Sequence, residues 1–132
     1  MAIEKIIILE DDLIVRKNLE TYLRRQHYEV AAVGTVEAAK EYLAKENFDI
    51  VFADICLPDG DGTDLLKEIQ TRAQKPLVVM MTGFGSVESA VECMKNGAFD
   101  YLIKPFSNEQ MEVTLRRAGE FTQLLNVNRF LS

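Results

Sequence analysis

The sequence predicts an α/β domain: a doubly wound parallel sheet of five strands flanked by five helices. Three observations carry this expectation. The runs Ile6-Ile7-Ile8-Leu9, Ile50-Val51-Phe52-Ala53 and Leu77-Val78-Val79-Met80-Met81 lack polar alternation, as strands buried on both faces do. They alternate with amphipathic stretches at helical spacing, the pattern of repeated βα units. Each also ends on a polar group: Glu10-Asp11-Asp12, Asp54 and Thr82, with Lys104-Pro105 closing a fourth run, Tyr101-Leu102-Ile103. Strands of an open parallel sheet all point one way, so these ends gather along one edge, where such folds bind ligands.

Taken in order, residues 5–9 form the first strand. Across residues 12–26, Val15, Leu19, Tyr22 and Leu23 make an apolar helical stripe. Glu29–Val33 is the second strand, and Thr35 caps a second helix with Ala39, Tyr42 and Leu43 inward and Asn47 at its end. Residues 48–53 are the third strand, followed by a turn-rich loop, Pro58-Asp59-Gly60-Asp61-Gly62. Leu65, Leu66 and Ile69 mark the third helix, and Pro76 opens the fourth strand. Ser86 caps a fourth helix whose apolar face is Val87, Ala90, Val91 and Met94, and Asn96-Gly97 stops it. Asp100–Ile103 is the fifth strand. Ser107-Asn108-Glu109-Gln110 matches a capping box for a last helix with Met111, Leu115 and Ala118 on one side.

That helix continues through Arg116-Arg117 to Phe121, Leu124, Leu125, Val127 and Phe130, more apolar residues than a free polar tail carries. The expected division is a domain over residues 1–120 and, over 121–132, the start of a linker helix or C-terminal extension. The extension fits a dimer seam or a docking face for an output domain. A disordered end with scattered hydrophobes is the alternative.

Composition narrows the function. With 132 residues, 48% hydrophobic and 27% charged, the chain suits one soluble globular domain with a substantial core. A net charge of −6 without a dense Lys/Arg run argues against direct nucleic-acid binding. The apolar runs are too short to cross a bilayer, and no signal-peptide pattern opens the chain. Cys56 and Cys93 form no paired motif, which suits a reducing cytoplasm, with Cys93 packing among Val91 and Met94.

The strand-end residues together describe a site for a phosphate and a divalent cation. Each alone has a plainer reading. Asp54 also fits a loop or capping aspartate, and Glu10 and Asp11 suit a helix N-terminus electrostatically. Lys104 also fits a surface lysine, and Thr82 a strand end. Adjacent carboxylates repel one another, however, and a hard cation such as Mg²⁺, which takes oxygen ligands, relieves that repulsion.

Across nearly its whole length the chain resembles the response-regulator receiver domain of bacterial two-component signalling. The matching text is Ile7-Ile8-Leu9-Glu10-Asp11-Asp12, Asp54-Ile55-Cys56-Leu57-Pro58, Asp61-Gly62, Met81-Thr82-Gly83 and Gly97-Ala98-Phe99-Asp100-Tyr101-Leu102-Ile103-Lys104-Pro105-Phe106. Phe99-Asp100-Tyr101 and Gly83-Phe84-Gly85-Ser86 look most like receivers of the nitrogen-regulator type. The resemblance implies a flavodoxin-like fold of strand order 2-1-3-4-5 and a cis Lys104-Pro105 bond. It implies that Asp54 accepts a phosphoryl group from the phosphohistidine of a sensor histidine kinase, in a reaction the domain catalyses on itself and not as an enzyme turning over substrate. Glu10, Asp11, Asp54 and the Cys56 carbonyl are then the Mg²⁺ ligands, Glu10 through water, since it replaces the commoner Asp. Thr82 and Lys104 hold phosphoryl oxygens, and Tyr101 is the switch aromatic that repacks the surface of the fourth helix, fifth strand and fifth helix. Implied partners are the kinase, an output domain outside this chain that controls transcription, and a second copy on phosphorylation.

Two other protein classes fit the sequence less well. An aspartyl-phosphate hydrolase carries a second acid two positions after its nucleophile, where this chain has Cys56. A flavodoxin-like cofactor binder presents hydroxyls and amides in its first loop, where Glu10-Asp11-Asp12 would repel a phosphate.

Overall fold

Successive strand residues point to opposite faces of a sheet, and here both faces are covered. The computed structural model describes residues 3–83 and 85–131, with side chains through Leu125. Strands β1 (Lys5–Leu9), β2 (Glu29–Val33), β3 (Ile50–Asp54), β4 (Leu77–Thr82) and β5 (Asp100–Ile103) form one parallel sheet in the order β2-β1-β3-β4-β5. Register sets Leu9 beside Val33 and Ala53, and Asp54 beside Met81.

Helices α1 (Leu13–Arg25) and α5 (Asn108–Leu131) cover one face, and α2 (Val36–Lys45), α3 (Gly62–Gln70) and α4 (Val87–Lys95) the other. Ile6, Ile8, Phe52 and Val79 pack with Leu19, Leu23, Met111 and Leu115. Ile7, Leu9, Val51 and Met80 pack with Leu43, Leu65, Leu66 and Ile69. This two-sided burial is why the strand runs carry no polar alternation.

Caps fall where the sequence put them. Thr35 accepts from Ala38 N and Ser86 Oγ from Ser89 N, while Ser107 and Gln110 exchange the two bonds of a capping box at 3.1 and 2.9 Å. Gly97, at φ +100°, ends α4 in a conformation that disfavours any side chain.

Three expectations need correction. Val87, Val91 and Met94 of α4 are exposed, Val87 at 81%, and Cys93 is the residue of that helix that enters the core. A narrow apolar stripe cannot by itself reveal which edge of it faces inward. Tyr42 is exposed, with its ring set edge-on to Phe48, and α2 ends at Lys45 with Glu46 as its cap. The loop after β3 holds a small antiparallel hairpin, Cys56–Leu57 against Gly60–Asp61. Helix α5 runs on to Leu131; Phe121 packs on Phe99 at 5.4 Å, and Val127 and Phe130 lie outside the described side chains.

Candidate functional site

At the C-terminal edge of the sheet, β1 delivers Glu10, β3 delivers Asp54, β4 ends on Thr82, and β5 runs into Lys104. Lys104 sits at the centre. Its Nζ lies 2.5 Å from Glu10 Oε1 and 2.6 Å from Asp54 Oδ2, so one ammonium pairs with both acids. A main-chain bond from Lys104 N to Thr82 O (2.7 Å) ties this residue to the end of β4, and the Lys104-Pro105 peptide is cis.

Glu10 is fully buried and Asp54 is 6% exposed, while Asp11 is exposed. The other Glu10 oxygen accepts from Asp12 N at 3.0 Å. Burial pushes the Glu10 carboxyl above its ordinary range, against the opposing pull of its Lys104 hydrogen bond. For Lys104, burial works to lower the ammonium's pKa, but the hydrogen bonds to Asp54 and Glu10 outweigh it and hold the pKa above its ordinary value. Asp54 Oδ1 accepts from Cys56 N at 3.2 Å. The nucleophilic candidate is thus oriented from two sides.

Carboxylate oxygens of Glu10, Asp11 and Asp54 lie within 4.8 Å of one another, an all-oxygen cluster of the kind hard divalent cations take. Asp12, next in the acidic run, instead caps α1 by accepting from Ile14 N and Val15 N. Arg16 reaches back to the Glu10 carbonyl at 2.9 Å and braces the turn between β1 and α1. Thr82 is buried at the end of β4, and Cys56 is exposed. Phe84 lies outside the described residues. Tyr101 is half-buried against the core beneath α4, and its hydroxyl is buried without a hydrogen-bond partner.

Sequence reasoning missed Asp59. Its two carboxylate oxygens accept from Val36 N (2.8 Å) and Glu37 N (3.1 Å) at the start of α2. A capping acid supplied by a distant loop leaves no local pattern to read.

Fold and site together describe an acidic pocket, braced by one lysine, at the C-terminal edge of a five-stranded doubly wound sheet. The model of the response regulator receiver domain matches residues 6–116, and the chain belongs to that family. It is 40% identical over 105 residues to the response regulator protein PilR of Pseudomonas aeruginosa, covering 80% of this chain and 24% of PilR. Among solved structures, the beryllofluoride-activated NtrC4 receiver domain dimer superposes with a TM-score of 0.83 at 29% identity, over 88% of this chain and 96% of that one. NtrX from Brucella abortus superposes with a TM-score of 0.90 at 28% identity, over all of this chain and 30% of NtrX. These relatives bear out the nitrogen-regulator type. The chain spans about a quarter of the curated relatives it matches, 24% of PilR and 28% of the regulatory protein AtoC of Escherichia coli.

No described helix is long and apolar enough to cross a membrane.

Proposed function

We propose that this receiver accepts a phosphoryl group on Asp54 from a sensor histidine kinase and passes the event to a transcription-controlling output domain. The observation that carries the reading is the Lys104 ammonium, bonded at once to Asp54 and Glu10, with Asp11 in the same carboxylate cluster. An Asp54 oxygen attacks phosphorus in line as the bond to the donor imidazole breaks and its electron pair returns to the ring. Positioning and neutralisation of the equatorial oxygens supply most of the acceleration. Lys104 and the Thr82 hydroxyl take those oxygens, and Cys56 N keeps Asp54 aimed. Glu10, Asp11, Asp54 and the Cys56 carbonyl would hold Mg²⁺, which when bound neutralises phosphoryl charge. The chain acts on itself here and does not turn over a substrate.

The added charge biases two packings of Tyr101 through Thr82. The orphaned Tyr101 hydroxyl supports a ring that has an alternative place to go. The output surface is α4, β5 and α5, with homodimer formation on phosphorylation as its second use. The domain ends near residue 120 and residues 121–132 start a linker, in a cytoplasmic regulator.

The test treats the protein with acetyl phosphate, or beryllofluoride, and Mg²⁺. An adduct on Asp54 that is absent from Asp54→Asn supports the reading; equal labelling of the variant sinks it. Asp11→Asn should weaken Mg²⁺ binding. Thr82→Ala should accept the group yet leave the Tyr101 ring resonances unmoved.

A further inference from the structure

Helix α2 already has a cap of its own. Thr35 Oγ1 accepts from Ala38 N at 3.2 Å, in the ordinary N-cap position. The two bonds that Asp59 takes from Val36 and Glu37 therefore do more than end a helix, because they join it to the tip of the loop that follows Asp54. The tip also comes close in space: a Cβ built on Gly60 would touch Val36 Cγ2 at 3.4 Å.

The same loop is tied at its root. Gly62 N donates to Ile55 O at 2.7 Å, and the hairpin pairs Cys56 with Asp61 and Leu57 with Gly60. With root and tip both fixed, little freedom remains for the amide of Cys56, which donates to Asp54 Oδ1. We infer that Asp59 is a positioning residue for Asp54: by tethering the hairpin tip to α2 it holds the Cys56 amide on the carboxylate that accepts the phosphoryl group. The inference rests on Asp54 being the acceptor and adds to it a residue outside the acidic pocket. Bonds from the Val36 and then the Glu37 amide hold the Asp59 carboxyl below its ordinary range, so the tether is ionised at neutral pH.

Asp59→Ala and Thr35→Ala both weaken the start of α2, but only the first releases the loop. Each is compared with wild type for the initial rate of Asp54 labelling by acetyl phosphate with Mg²⁺, and for hydrogen exchange of the Cys56 amide. Asp59→Ala should slow labelling roughly three- to tenfold, as a slightly misaimed nucleophile does, and should speed Cys56 exchange. Thr35→Ala should leave both near wild type, and Asp59→Asn, which keeps one acceptor oxygen, should fall between. Wild-type labelling by Asp59→Ala, or equal slowing by Thr35→Ala, overturns the positioning role. If wild type itself forms no adduct on Asp54, the acceptor reading fails first and takes this one with it.

Discussion

Gly62 runs against the backbone of Asp54 so closely that a Cβ built on it would lie 2.1 Å from the Asp54 carbonyl oxygen. Helix α3 can begin there only because that position has no side chain. Gly62→Ala must push the end of β3 aside, at a cost of about 1–3 kcal/mol by analogy with overpacked cores. Urea unfolding measures the loss, and Asp54 labelling should slow with it. A variant of wild-type stability would mean that the backbone relaxes freely, contrary to the buried setting of β3.

Glu10 gives a pH signature. Its folded pKa is raised above the ordinary 4.5, first by burial, so the stability linked to its proton is present below that value and lost as pH rises through the folded pKa. Glu10→Gln has no such proton to lose. In the absence of divalent cations the variant should therefore gain on wild type as pH climbs from 4.5 toward neutrality, with Lys104 still paired to Asp54. Denaturation midpoints across that range check it; a stability difference independent of pH would contradict the burial argument.

The face of α4 offers a contrast within one helix. Val87→Ser and Met94→Gln alter exposed side chains and should cost under about 0.5 kcal/mol. Cys93→Ser places a hydroxyl in the fully buried apolar core that α4 shares with α2 and α3 and should cost roughly 1–3 kcal/mol. Thermal melts of the three variants rank them, and the reverse order would turn the helix around.

Beyond Ala118, helix α5 meets the domain where Phe121 packs on Phe99, whose ring also lies under the Arg117 guanidinium at 5.5 Å; Arg117 in turn pairs with Asp100 at 2.9 Å. A double-mutant cycle on Phe99→Leu and Phe121→Ala should return a coupling of about 0.5–1.5 kcal/mol, the usual worth of an aromatic pair. Hydrogen exchange past Gly119 should quicken in either variant. Additive effects with unchanged exchange would show that the helix holds its course without this contact.

Much of this was legible because strands buried on both faces write themselves as unbroken apolar runs, and the shortness of Ile6–Leu9 and Val78–Met81, each closed by a polar residue, separates them from buried helix. The strand ends were legible because each run stops on a polar or charged residue, and that residue stays buried where it joins the site, as Glu10, Asp54 and Thr82 do. The inward edge of α4 was not, because Val87, Val91 and Met94 sit at helical spacing whether they meet the core or water. Nor was the partnership of Asp59 with α2, a contact between residues 22 and 23 positions apart in the chain. In the site, the residue types pointed to a cation and a phosphate, but only the fold reveals that Lys104 serves Glu10 and Asp54 together.

Ile7 and Ile8 are neighbours in the chain, yet they belong to separate cores, one shared with α2 and α3 and the other with α1 and α5. The sheet between them is a partition. Losses of volume on its two sides have no shared cavity through which to compensate, so Ile7→Val and Ile8→Val should sum when combined, within about 0.5 kcal/mol. Leu9 and Leu43, which line the same side, have no such independence. Sequence drift in this domain is thereby split into two packing problems: volume lost on one side is not made good by a substitution on the other, and both losses add to the same folding free energy.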